Sequence, residues 1–239
     1  MSRVLCVDFG STFTKAVLVE SADGALVATA SHATTIATDV MDGYAAIRAQ
    51  LGGERVDDVL ACSSAGGGLR LAVVGYEREV TAEAGHRVGL SAGAKVVHVS
   101  TGNLDTAGVS ELKAARPDVV LMVGGTDGGN AEVLLHNARK LGAARVAAPI
   151  VLAGNVEARD EASAALTSRG RKVFAVDNVL PRIGVLEPRP ARSAIRDVFI
   201  THVIGGKGLS RGKEVAAMVR AATPDVVLAG VEVLADGLP

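Results

Sequence analysis

Apolar and polar positions change their period along this chain, and each period predicts an element. Residues 4–8 form an apolar run that ends in Asp-Phe-Gly, and residues 14–20 form a second run rich in β-branched residues and Val. Both read as β-strands. Only a short turn carrying Gly10, Ser11 and Thr12 separates them, so they must pair as an antiparallel hairpin. Ser21-Ala22-Asp23-Gly24 signals the next turn, and residues 25–33 read as a third strand. In residues 39–51, Val40, Tyr44, Ile47 and Leu51 fall on one helical face, and Gly52-Gly53 closes the segment as a helix C-cap does. Residues 56–63 read as a fourth strand.

The rhythm then changes. Short apolar runs at 95–100, 118–124, 149–154 and 172–177 alternate with amphipathic segments at 105–115, 129–141 and 157–169. Strands alternating with helices predict right-handed βαβ crossovers and a parallel sheet covered on both faces. Glu187-Pro188-Arg189-Pro190 breaks the pattern. Beyond it the expectation is helix over 191–204, a Gly/Lys loop at 205–208, helix over 210–222 and a short apolar run at 225–228. The pentapeptide Pro-Asp-Val-Val-Leu occurs at 117–121 and again at 224–228, which reads as a repeated helix-to-strand joint. These signals divide the chain into 1–76, 77–188 and 189–239. The first carries the hairpin in a β-β-β-α-β order, that of a ribonuclease-H-like unit. The second is a four-stranded, Rossmann-like parallel α/β unit, inserted in or appended to the first. The third is a helical connecting segment whose end does not read as a finished terminal element.

Composition excludes several roles. Aromatic residues are 3% of the chain and Trp is absent, so the core is aliphatic and stacking platforms for single-stranded nucleic acid are not expected. The 25 basic and 26 acidic residues leave a net charge of -1, with no basic run to draw nucleic acid or anionic lipid. No apolar stretch has the length of a membrane span, and the N-terminus runs straight into a strand rather than a signal sequence, so the expected location is cytoplasmic. Cys6 and Cys62 lie in apolar runs and read as free thiols in the core.

The strongest chemical signal is Asp8-Phe9-Gly10-Ser11-Thr12-Phe13-Thr14-Lys15. Gly10 allows close backbone approach, and the N–H groups of the turn form an anion nest. Ser11, Thr12 and Thr14 add hydroxyl donors, and Lys15 adds a point charge. Asp8 at the strand end suits Mg²⁺ held through water. A second candidate is Gly124-Gly125-Thr126-Asp127-Gly128-Gly129-Asn130, at a strand end opening a helix. It reads equally as an anion site and as a Gly-rich connection capped by Asp127 or Asn130. Cys62-Ser63-Ser64 with the glycines at 66–68 reads as a structural turn, and no His is placed by sequence to activate a serine. Asn155 reads as a helix cap.

The stretches DFGSTFTKAVLVE, ACSSAGGGLRLAVVG, GLSAGAKVVHVSTG and PDVVLMVGGTDGGN, in that order along the whole chain, resemble the glutamate mutase accessory family, called GlmL or MutL and unrelated to mismatch repair. The resemblance implies an actin-like ATPase fold, ATP and Mg²⁺ as cofactors, and an adenosylcobalamin-dependent mutase subunit as partner. The implied role is that of chaperone or reactivating factor. Asp8, Gly10, Ser11, Thr12, Thr14 and Lys15 match the family's first phosphate motif. The family's second phosphate motif, of the Asp-x-Gly-Gly-Ala-Thr-Thr-Asp kind, has no counterpart here, so turnover by this chain alone is not implied. Association into a homo-oligomer stays open. The rival readings are a small-molecule kinase with Asp127 as base, a dehydratase activator with a cysteine-bound iron–sulfur cluster, and a nucleotide- or cobalamin-binding module without turnover.

Overall fold

The computed structural model of the chain describes residues 2–65, 68–75, 81–204, 209–210 and 214–237. It divides into two compact units, one made of Met1–Gly68 and Phe199–Pro239 and the other of Leu69–Val198. The second unit is therefore an insertion in the chain of the first.

In the first unit, β1 (Arg3–Phe9), β2 (Phe13–Glu20) and β3 (Leu26–Ala33) form a meander, and β4 (Asp58–Ser63) pairs parallel with β1. Helix α1 (Val40–Gln50) starts at Asp39, whose carboxylate accepts the Met41 N–H at 2.9 Å. The strands alternate. Leu5, Val7, Phe9, Ala16 and Leu18 point to the buried face, as do Val40 and Ile47 of α1, and the rings of Phe9 and Tyr44 lie 6.3 Å apart. The residues between them in sequence necessarily occupy the opposite face.

The last part of the chain departs from expectation. Residues 210–222 are not one helix. Helix α7 (Glu214–Met218) gives way to β10 (Val219–Ala222), which pairs parallel with β4 at Ala61, Cys62 and Ser63. The outer edge of β4 needs a partner, and the apolar Val219, Ala221 and Ala222 are buried in supplying it. The apolar run at 225–228 then lies inside α8 (Thr223–Asp236). The sheet order is β10-β4-β1-β2-β3.

The second unit contains β5 (Arg70–Gly75), α2 (Thr81–Ser91), β6 (Lys95–Thr101), α3 (Thr106–Ala114), β7 (Val119–Met122), α4 (Glu132–Ala143), β8 (Ile150–Leu152), α5 (Arg159–Thr167), β9 (Val173–Ala175) and α6 (Arg189–Val198). All strand pairs are parallel, in the order β6-β5-β7-β8-β9. This is the doubly wound 2-1-3-4-5 arrangement. Among the described residues the sheet has five strands rather than the expected four, because β5 joins it between β6 and β7. Residues 71–74 are fully buried, as a strand covered on both faces must be. The first break in the unit therefore comes at Leu69 rather than at 77, and the second falls after Val198 rather than at 188. The loop expected at 205–208 lies outside the described residues. Among the described residues, no helix is long and apolar enough to cross a membrane.

Candidate functional site

Register decides which hairpin residues share a face. Asp8 is opposite Lys15 on β2 and beside Cys62 on β4, while Cys6 is opposite Val17 and beside Leu60. These two rows form the face of the first sheet turned away from its buried side. They line a cavity of about 440 Å³, to which β10 contributes Arg220 and α8 contributes Val226. Its walls are mostly apolar. Asp8, Lys15 and Arg220 bring the charges.

Asp8 is held at one oxygen. Its Oδ1 accepts the Thr223 hydroxyl at 2.7 Å and the Cys62 thiol at 3.6 Å. Burial, with the Asp8 charge adding to it, pushes the Cys62 thiol up to about 11, and the Thr223 hydroxyl pulls the other way. Burial also raises the Cys6 thiol. Both sulfurs are therefore protonated near neutrality. Among the described residues no cluster of His, Cys, Asp or Glu could hold a metal ion by itself. What remains at the strand end is a carboxylate, exposed hydroxyls and an amine. That donor set suits a hard cation carried with phosphate oxygens.

The turn itself is built for tightness. Gly10 N–H donates to the Phe13 carbonyl at 3.1 Å, and a Cβ on Gly10 would lie 2.5 Å from that same oxygen. Glycine is thus required at position 10 by the turn, whatever binds above it. Ser11, Thr12 and Lys15 are exposed. Thr14 is not available as a surface donor. It points to the buried face, is fully buried, and shares a hydrogen bond of 3.2 Å with Thr34, which in turn donates to the Gly10 carbonyl at 2.8 Å. The period of two that puts Asp8 and Lys15 on one face puts Thr14 on the other.

Gly124, Gly125, Thr126 and Asp127 belong to the second unit, at the carboxyl end of β7. The loop is folded against its own scaffold. Asp127 Oδ1 accepts the Val156 N–H at 3.0 Å and the Asn178 side-chain amide at 2.9 Å. The same Asn178 nitrogen donates to the Gly125 carbonyl, and Asn155 donates to the Gly129 carbonyl. Gly125 has φ +70°, and a Cβ there would meet the Asn130 carbonyl at 2.3 Å. Asn130 accepts the Glu132 N–H as α4 begins, and Asn155 accepts the Glu157 N–H as expected of a cap. These bonds tie the loop after β7 to the segments that follow β8 and β9.

The model of the family described as MutL protein matches residues 4–238. This chain belongs to that family. It is also similar to Protein MutL of Clostridium tetanomorphum, with 40% identity over 243 residues that cover 99% of this chain and 53% of the relative. The MutL-family chain thus spans about half the length of the curated relative it matches.

Sequence reasoning did not find Thr223 or Arg220. The signal lay in Ala221-Ala222-Thr223-Pro224. Small apolar residues run into a threonine and a proline, which suits a strand end turning into a helix start.

Proposed function

We propose that this chain carries one wall of an ATP–Mg²⁺ site in an actin-like accessory protein that reactivates or assembles an adenosylcobalamin-dependent mutase of the glutamate mutase type. The observation that carries the nucleotide reading is the row Asp8–Lys15–Cys62 at the mouth of an exposed hairpin turn, opening on the cavity of the first unit. The β10-β4-β1-β2-β3 order, with β2 alone antiparallel to β1, supports the ribonuclease-H-like reading of that unit. Membership in the MutL family supports the mutase partner.

In this reading Asp8 holds Mg²⁺ through water, Lys15 neutralises phosphate charge, and the Ser11 and Thr12 hydroxyls with the N–H groups of the turn orient phosphate oxygens. Bound Mg–ATP supplies a phosphoanhydride whose cleavage needs positioning and charge neutralisation more than covalent help from the protein. The apolar cavity wall lowers the local dielectric and strengthens the effect of these few charges. The kinase alternative draws no support from Asp127, whose Oδ1 is committed to Val156 and Asn178. Neither thiol is positioned with others to hold an iron–sulfur cluster among the described residues.

The test is reactivation. Glutamate mutase inactivated during turnover is incubated with the protein at its full encoded length, ATP, Mg²⁺ and adenosylcobalamin. Recovery of mutase activity that depends on ATP and is lost with Asp8→Ala supports the proposal. Recovery equal with and without ATP, or no recovery, overturns it.

A further inference from the structure

Asp8 and Thr223 are 215 residues apart in sequence, yet the Thr223 hydroxyl donates to Asp8 Oδ1 at 2.7 Å. The path that joins them is short in space. β1 carries Asp8, β4 beside it carries Cys62 at the same level, and β10 pairs with β4 at Cys62 and Ser63 before the chain turns into α8 at Thr223. The β10–α8 corner therefore delivers a hydroxyl to the same carboxylate oxygen that faces the Cys62 thiol.

A carboxylate fixed at one oxygen is fixed at both. With Oδ1 taken by Thr223 and Cys62, Oδ2 is the oxygen on the side of the turn, 3.7 Å from where a Cβ on Gly10 would sit. Threonine suits this task better than serine, because β-branching stiffens χ1 and keeps the hydroxyl aimed. From this geometry we infer that Thr223 is a positioning residue for the nucleotide-bound divalent cation. It orients Asp8 so that Oδ2 faces the cation's hydration shell. The inference rests on the ATP–Mg²⁺ reading of the hairpin and adds to it a residue from the far end of the first unit.

The experiment compares nucleotide affinity with and without Mg²⁺ by calorimetry on the protein at its full encoded length. The variants are Thr223→Val, Thr223→Ser and Asp8→Asn, each checked for folding by its thermal unfolding curve. The quantity read is the factor by which Mg²⁺ tightens nucleotide binding. Outer partners of metal-holding groups typically contribute about 10–100-fold in metal affinity. Thr223→Val is expected to cut the Mg²⁺ factor about tenfold, with metal-free nucleotide binding unchanged, and Thr223→Ser is expected to restore most of it. Thr223→Ala serves as the second hydroxyl-free variant if the valine substitution misfolds. A Mg²⁺ factor in Thr223→Val equal to wild type, while Asp8→Asn abolishes it, overturns this inference and leaves the nucleotide reading standing. A serine variant as weak as the valine variant also overturns it, since packing rather than the hydroxyl would then matter. No Mg²⁺ factor in wild type overturns the nucleotide reading and this inference with it.

Discussion

Asp127→Ala separates a structural lock from a ligand site at the glycine-rich loop. The substitution removes one acceptor from two donors, the Val156 N–H at 3.0 Å and the Asn178 amide at 2.9 Å. Hydrogen bonds to a charged group contribute about 1.5–3 kcal/mol each, and stranding a buried donor costs a similar amount. Two such bonds set a gross loss of about 3–6 kcal/mol. The loss is discounted because Val156 is only half-buried and its N–H recovers water. Asn178, 2% exposed, keeps its bond to the Gly125 carbonyl. A net destabilisation of about 3 kcal/mol remains, which for a chain of this size lowers Tm by roughly 6–12 °C. Asp127→Asn retains an acceptor oxygen and should fall by about a third of that. Thermal unfolding followed by circular dichroism reads the effect, and nucleotide titration of the same variant at low temperature checks function. A variant that melts with wild type but loses nucleotide or substrate binding would refute the lock and return Asp127 to the chemistry.

Two other expectations follow from the packing and the thiols. Gly142→Ala would place a Cβ 2.2 Å from the Ala165 carbonyl, where α4 and α5 cross; overpacking of about 1–3 kcal/mol outweighs the gain of about 1 kcal/mol in helix propensity. Urea unfolding should show a net loss, and a stabilised variant would contradict the close crossing. In a Cys6→Ser background, the alkylation rate of Cys62 should rise with pH toward a midpoint of about 11 and shift down in Asp8→Asn, which removes a charge that holds the thiol up. The sign for stability follows: a thiol raised in the folded state contributes stability that is present below the unfolded thiol value, about 8.5, and is lost as pH rises toward about 11. A midpoint at the ordinary thiol value in both proteins would contradict the burial argument.

The first four strands and α1 were legible because each has a clean period, and the turn residues between them leave little choice of pairing. The same alternation, applied one step further, would have shown that Thr14 cannot share a face with Asp8 and Lys15. Strand β5 follows directly on the glycines at 66–68, so its short apolar run reads by sequence as a continuation of that turn. The pentapeptide Pro-Asp-Val-Val-Leu shows where local sequence stops deciding. In its first copy Val119, Val120 and Leu121 are fully buried as β7 between β5 and β8. In its second copy Pro224 enters the first turn of α8, where a missing N–H costs nothing, and Val227 is 59% exposed. Tertiary surroundings choose strand or helix for the same five residues. Thr223 was hidden for the same reason, since its partner is set by the sheet order and not by any spacing along the chain.

The central claim is that the hairpin row binds nucleotide phosphates with a divalent cation. Calorimetric titration of ATP–Mg²⁺ into the protein at its full encoded length, with Asp8→Ala and Lys15→Ala alongside, tests it most directly. Saturable binding to wild type that is weakened at least tenfold in each variant, about 1.4 kcal/mol or more, is the predicted result. Binding of equal strength in wild type and Asp8→Ala, or no binding to wild type, would contradict the account.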